Sequence, residues 1–396
     1  MTLTYIANLR LPTEKAYGIQ IAKTCEAMAN LGFSVTLIFP HRRNPFIRED
    51  IYSYYSVKNN FTVKKIWAPD FYFAGKLDKI SFYIKSFISA FFLSFSALSQ
   101  RTDLVFSRDE MPLFLLSFFR KNLIYEAHNF SSCRKLFYKR FKSINLKVVV
   151  ITKHLKENFT KIGFRPENIL VASDGVDLSD FDIDISKQEA RVKTGLPSDK
   201  NIVMYTGHLF EWKGTGTLLQ TARLISNDRF PISDSKMLFV FIGGTERDIK
   251  SFKQKAQGLN NVLILEHKRY NQIPLFLKAA DVLVLPNSTR EEISRSYTSP
   301  LKMFEYMASK RPIVASDLPS LREILNEKNS VPVNSDDALA LAGGIKFVLK
   351  NPNESQKLTK KAFEEVKNYT WQKRVETIFK FIEEDFKGVL GSFKME

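Results

Sequence analysis

The chain has 396 residues, 44% hydrophobic and 26% charged, which suits two globular domains of ordinary size. Its two cysteines, Cys25 and Cys133, stand far apart without metal-ligand spacing, which argues against a disulfide framework and for a reducing compartment. The formal net charge of +17 asks for an anionic partner, either nucleic acid or an anionic membrane surface.

The start, MTLTYIANLRLPTEK, has no basic segment followed by a long apolar run, so no signal peptide is expected. From there short β-rich runs alternate with helical stretches. The predicted strands of the first half are 4–8, 34–40, 62–69, 104–108, 123–128, 147–152 and 169–175. Those of the second half are 202–207, 238–244, 262–267, 282–286 and 312–316. Most are continuous apolar runs without two-residue alternation, the signature of strands buried on both faces of a parallel sheet. Strand–helix alternation at this length predicts an α/β fold of doubly wound sheets.

Two segments between these strands bear on partners. Phe82 to Gln100 is rich in Phe and flanked by Lys79 and Arg101, but its charge-free part, 86–100, is shorter than the ~20 residues a spanning helix requires. It reads as a buried helix of the α/β domain, with partial insertion into one leaflet as the alternative. From Arg120 to Lys161 there are eleven Lys/Arg against two acids, Glu126 and Glu157. Within it RKLFYKRFK, 134–142, predicts a helix basic on one side and apolar on the other, packed on the core or touching a membrane.

After ASDGVD (172–177) the chain turns acidic and polar, which places a linker near 177–187. Two similar α/β domains would leave a cleft near the carboxyl ends of their strands, where ligands bind. The stretch 369–388 predicts an amphipathic helix with Trp371, Val375, Ile378, Phe379 and Ile382 on one face.

Three segments of the second half follow strands and carry residues suited to chemistry. In YTGHLFEWKGTGTLL (205–219) glycines permit close backbone approach, a helix N-terminus follows, and Lys213 adds positive charge, a plausible diphosphate cradle without the Walker pattern. FIGGTERD (241–248) again pairs glycines after an apolar strand. In SPLKMFEYMASKRPIVASD (299–317) Ser299 is read as N-cap and Pro300 as first helical residue. Glu305 then lies inside the apolar part of a short helix, where a carboxylate is costly unless it has a partner. It could accept two hydrogen bonds from a vicinal diol such as a ribose.

The order YTGHLFEWKG, FIGG, IPLFLKAADVLVLPN, SPLKMFEYMASKRPIVASDLPSLREIL and YTWQKR resembles the retaining GT-B glycosyltransferases of family four. NLRLPTEKAYGIQIAKTCEAMANLGFSVTLI is similar to that family's first strand, acceptor-side loop and first helix, and FSRD and YEAHN fall at comparable strand ends. The resemblance implies a GT-B fold of two Rossmann-like domains facing a cleft. The first, 1–180, would bind acceptor, with a C-terminal helix at about 371–390 packing back on it; the second, 187–370, would bind a nucleotide sugar. It implies transfer with retention and without a bound metal, positive side chains and backbone N–H groups stabilising the leaving diphosphate. Glu305 matches the second glutamate of the E-x7-E motif, which holds the ribose; Lys213 matches the lysine on the diphosphate; His128 matches a histidine near the transferred sugar. Gly207, His208 and Gly244 line the donor side, and Arg10, Thr13, Lys15 and Gly18 the acceptor side. Tyr297 stands where the motif's first glutamate would be, and His208 where the family has an arginine. The sugar contact then falls to Tyr297 or to the backbone at Thr298 and Ser299, and Lys302 would supply the missing positive charge.

The expected function is therefore a transferase moving sugar onto a glycan or a polyprenyl-diphosphate-linked saccharide. Its expected place is the cytoplasm or the cytoplasmic face of an anionic membrane. An epimerase on the same fold and a non-catalytic membrane- or nucleic-acid-binding protein are the alternatives, although no nucleic-acid motif appears.

Overall fold

A computed structural model describes residues 1–44, 47–71, 78–226 and 236–383, with residues 78 and 79 described through their backbone alone. The chain forms two compact units. One comprises residues 1–173 and the segment from Trp371 onward; the other comprises 174–370. The short helix Leu178–Phe181, in the segment read as linker, is part of the second unit.

The first unit is built on strands β1 (Thr2–Ile6), β2 (Ser34–Pro40), β3 (Thr62–Ile66), β4 (Leu104–Ser107), β5 (Leu123–Ala127), β6 (Lys147–Val150) and β7 (Ile169–Val171). They pair in parallel in the order β3-β2-β1-β4-β5-β6-β7. β1, β4 and β5 are buried almost throughout, as their unbroken apolar runs require. The helix Ala16–Asn30 follows β1, and the helix Trp371–Glu383 packs on it, Phe379 stacking on Phe33 at 4.0 Å. Trp371, Val375, Ile378, Phe379 and Ile382 are all buried, as their spacing predicts. The rest of that predicted helix, 384–390, lies outside the described residues.

The second unit holds β8 (Asn201–Thr206), β9 (Met237–Ile242), β10 (Val262–Leu265), β11 (Val282–Leu285), β12 (Ile313–Ser316) and β13 (Val331–Val333), parallel in the order β10-β9-β8-β11-β12-β13. Apolar clusters cover both faces of this sheet: Phe304, Met307 and Leu277 on one side, Leu218, Phe252 and Ile345 on the other.

Two sequence readings are corrected. The helix after Ser299 spans Leu301–Ala308 with Pro300 at its N-cap, because Pro300 is extended (ψ 124°). Ser299 instead accepts a hydrogen bond from the Asp174 N–H at 3.3 Å. The Phe-rich segment forms the helix Asp78–Leu98, but it is buried on one side only, and five of its aromatic residues, Phe82, Tyr83, Phe87, Phe91 and Phe95, stand in solvent.

The helix Ala338–Lys350 offers a test of the packing, because its two adjacent glycines have opposite surroundings. A Cβ on Gly343 would meet nothing within 4 Å, whereas one on Gly344 would lie 2.7 Å from Val333 Cγ1 and 2.9 Å from Val314 Cγ1. Gly343→Ala is expected to stabilise the fold by about 0.5–1 kcal/mol through helix propensity. Gly344→Leu should destabilise it by about 1–3 kcal/mol through overpacking against β12 and β13. Denaturant midpoints of the two variants check both signs.

Candidate functional site

In the second sheet the crossovers after β8 and β11 leave toward opposite edges, and the carboxyl ends of these neighbouring strands form the switch point where ligands bind α/β sheets. The loop 207–214 follows β8, and the loop 286–299 follows β11. Gly207 has φ +120°, and a Cβ there would lie 2.9 Å from Lys302 Nζ. Gly214 has φ +72°, and a Cβ there would lie 1.6 Å from the Pro286 carbonyl oxygen, so only glycine lets the two loops meet. The Trp212 carbonyl accepts from the Ser288 N–H and the Ser294 hydroxyl, both at 3.1 Å. The Tyr306 hydroxyl accepts from the Thr206 N–H at 2.8 Å and fixes the helix Leu301–Ala308 against the end of β8.

This framework brings Lys213, Lys302 and Glu305 into one electrostatic cluster. Lys302 is buried, 8% exposed, and its Nζ lies 3.7 Å over the Tyr205 ring with no hydrogen-bond partner among the described residues. Burial first, then the neighbouring Lys213 charge, lowers its pKa well below the usual lysine value, while Glu305 opposes the shift. Lys213, its Nζ 3.9 Å over the Trp212 ring, is lowered by desolvation to about 8. Burial raises the Glu305 carboxyl to about 7 against the Lys302 charge. Two like charges held together at a switch point, short of acceptors, suit a multivalent anion.

His208, Tyr297, Thr298 and Ser299 lie on the same two loops, and Gly244 lies on the loop after β9. The His208 ring stacks on Phe210 at 4.9 Å, and its carbonyl accepts from the Tyr205 hydroxyl. Tyr297 ends a π-helical turn, Ile293–Tyr297, and donates its hydroxyl to Glu292 at 2.6 Å; Thr298 follows it, leading to Ser299. Gly244, φ +95°, follows β9 and faces the Leu209 side chain.

The first unit has its own switch point, at the ends of β1 and β4. The Asn8 N–H donates to Asp109 at 2.6 Å, and burial raises the Asp109 carboxyl to about 6. In the loop after β1 Arg10 pairs with Glu14 at 3.2 Å, and Lys15 is exposed. Thr13 and Gly18 are buried against Tyr55. The Thr13 N–H donates to the Tyr55 hydroxyl at 2.7 Å, and a Cβ on Gly18 would lie 1.9 Å from that oxygen.

His128 stands one residue past β5, and its Nε2 lies 3.1 Å from Glu126 Oε1. Glu126 is wholly buried and also accepts from the Tyr5 hydroxyl (3.0 Å), Gln20 Nε2 (2.8 Å) and Arg374 Nη2 (2.5 Å). Burial acts to raise its pKa, but the Arg374 charge, the His128 hydrogen bond and Arg108 outweigh it and hold the carboxyl far below the usual range. An ionised carboxylate only accepts, so Nε2 of His128 carries a proton. Sequence reasoning missed this network. Its signal was present: Glu126 interrupts the apolar run of β5, and Arg374 falls on the apolar face of its helix, three residues from Trp371 and four from Ile378.

Residues 186–365 match the family model of glycosyl transferases group 1. This match lies within the second unit and spans most of it. The chain is 23% identical over 237 residues to D-inositol 3-phosphate glycosyltransferase 1 of Catenulispora acidiphila, covering 58% of this chain and 54% of that protein. It is 31% identical over 157 residues to the Escherichia coli UDP-Gal:alpha-D-GlcNAc-diphosphoundecaprenol alpha-1,3-galactosyltransferase, covering 39% and 38%. The matches thus span about half or less of the curated relatives' length. The crystal structure of Anabaena HepE in complex with UDP-glucose superposes with a TM-score of 0.74 at 14% identity, covering 97% of this chain and 100% of that one. The fold is GT-B, and the resemblance to GT-B glycosyltransferases read from the sequence holds at the level of fold.

The Glu126 network yields a stability test. Arg374→Met leaves a buried carboxylate without its main counter-charge and should destabilise the protein by about 3–5 kcal/mol, and Glu126→Gln in the same chain should recover much of that. The folded pKa of Glu126 lies below its unfolded value, so its contribution is full above about pH 4.5 and is lost as pH falls further. In an acid scan the double variant should lack this part of the loss.

Proposed function

We propose that the chain is a retaining glycosyltransferase that moves a sugar from a nucleotide-sugar donor onto a glycan or lipid-linked saccharide in cell-surface polysaccharide assembly. The observation that carries this reading is the Lys302 ammonium, buried without a hydrogen-bond partner at the switch point beside Lys213. A diphosphate supplies the acceptor that the Lys302 ammonium lacks and meets the neighbouring Lys213 charge. In this reading the two charges and the N–H groups near Gly207 and Gly244 stabilise the leaving diphosphate without a metal. Lys302 takes the place of the arginine absent at His208. Glu305, ionised, accepts both hydroxyls of the ribose. Tyr297 and the backbone at Thr298 and Ser299 hold the donor sugar, and His128 lies near the transferred sugar. The loop carrying Arg10, Thr13, Lys15 and Gly18 serves the acceptor. UDP-glucose in the HepE complex and the diphosphoundecaprenol acceptor in the name of the Escherichia coli relative support a nucleotide-sugar donor and a lipid-linked acceptor. Such a reaction places the protein in the cytoplasm or on the cytoplasmic face of a membrane.

A thermal-shift panel with UDP, GDP, ADP and their sugar conjugates tests the donor site, because a ligand that binds the folded state alone raises its stability. One nucleotide class is expected to stabilise the protein selectively. Glu305→Ala should weaken that binding and the activity by about ten-fold or more, the loss of a charge-assisted pair of hydrogen bonds. A folded protein that no nucleotide stabilises overturns the reading. Affinity should rise with pH through about 7 as Glu305 ionises, and Glu305→Gln should remove that limb.

Lys302→Met separates binding from folding. It removes a desolvated amine and should raise stability by about 0.5–2 kcal/mol while the nucleotide-induced shift is lost. A destabilised variant that still binds nucleotide would place Lys302 in the scaffold instead.

A further inference from the structure

The helix Asp78–Leu98 is inverted relative to an ordinary surface helix. Ile80, Tyr83, Ile84, Phe87, Phe91 and Phe95 recur every three to four residues and share one exposed stripe, with Tyr83 70% and Phe95 65% exposed. The opposite side carries Ser81, Lys85, Ser89 and Ser96, all buried. Lys85, 1% exposed, pairs with Asp70 at 3.4 Å, and the Ser89 hydroxyl donates to the Lys85 carbonyl at 2.7 Å. The polar groups are thus satisfied inside while the aromatic rings stand in solvent. At ~200 Å² per large side chain, about half exposed, the stripe presents roughly 600 Å² of apolar surface, at the upper end of the patches found on monomers.

The surroundings of the stripe are positively charged. β3 to β4, β4 to β5 and β5 to β6 are three successive crossovers in one direction, so the helices Asp78–Leu98, Glu110–Leu116 and Lys135–Ser143 cover one face of the sheet, each packed on the next. Between residues 80 and 147 Arg101, Lys121, Lys135 and Lys139 are exposed, whereas the four acids, Asp103, Asp109, Glu110 and Glu126, are not. By length and composition Ile80–Leu98 would suffice to cross a membrane. Its packing on β2, β3 and the helix Glu110–Leu116 ties it into the unit.

We propose that this face is a docking surface for the anionic leaflet of a lipid bilayer. The Phe stripe enters the boundary between headgroups and acyl chains, and Arg101, Lys121, Lys135 and Lys139 meet lipid phosphates. The helix lies in the interface and does not span it. The surface is separate from the donor site, so either can fail without the other.

The test is flotation of the full chain with vesicles of phosphatidylcholine alone or with phosphatidylglycerol. Binding should be about ten-fold or more tighter to the anionic vesicles and weaken with added salt. The triple variant Phe87→Ser, Phe91→Ser, Phe95→Ser should lose it while keeping the nucleotide-induced thermal shift, which also reports that it is folded. Charge reversal at Arg101, Lys121, Lys135 and Lys139 should abolish the preference for anionic lipid. Failure of the wild-type protein to bind either vesicle overturns the proposal. So does equal binding to both, or a wild-type dimer that the triple variant converts to monomer, which would assign the stripe to a second copy of the chain.

Discussion

At the ends of β8 and β11 the chain leaves a parallel sheet in two directions, and no crossover helix closes the gap between them. Everything assembled at this switch point depends on that opening and on how closely its two loops approach. Gly214 sets the approach, because only a residue without Cβ lets the turn after Trp212 rest on the Pro286 carbonyl. Trp212 then anchors 288–294 through its carbonyl, and the helix behind them is held to β8 by Tyr306. Lys302 is carried on that helix and reaches back toward Gly207. The position of the ammonium is thus a consequence of backbone packing, fixed before any ligand arrives.

Glu126 and Glu305 are both buried carboxylates, and they differ in the number of donors around them. Glu126 receives Tyr5, Gln20, His128 and Arg374, and its ionised form is strongly favoured. Burial lifts Glu305 to about 7 against the charge of Lys302. Arg374 is bonded to Glu126 and to the Ser173 carbonyl, whereas the Lys302 ammonium makes no hydrogen bond among the described residues. A carboxylate held by several donors, such as Glu126, holds structure together. An unsaturated one carries a desolvation penalty that folding alone does not offset, and it marks where a ligand completes the coordination.

Much of this architecture was legible in the sequence because parallel strands leave a plain trace. The twelve apolar runs each became a strand. β13 was not read because it has three residues with Pro332 at its centre, which an edge strand tolerates and a pattern search passes over. At the donor site Glu305 stood out as a charge in an apolar helix. Glu126 and Arg374 carry the same signal but lie 248 residues apart, and no local pattern shows that they meet. The Phe-rich helix misled for a different reason. Composition counts its rings and serines without saying which side is buried, and Ser81, Ser89, Ser94 and Ser96 are buried while five aromatic rings are exposed.

That inversion bears on the net charge. Residues 80–147 hold eleven Lys/Arg against four acids, so this segment alone supplies seven of the seventeen excess positive charges. The proposed donor site asks for only a few positive groups, Lys213 and Lys302 among them. Solubility would be met by charge spread over the whole surface. Exposing Arg101, Lys121, Lys135 and Lys139 around a Phe stripe that is itself exposed serves neither need. It does match the chemistry of an anionic bilayer, whose headgroups attract charge and whose acyl boundary accepts aromatic rings. The serine-lined inner side then has a physical rationale: with the large apolar residues turned outward, small hydroxyls that bond the helix's own carbonyls let it lie close to the sheet without leaving polar groups unsatisfied.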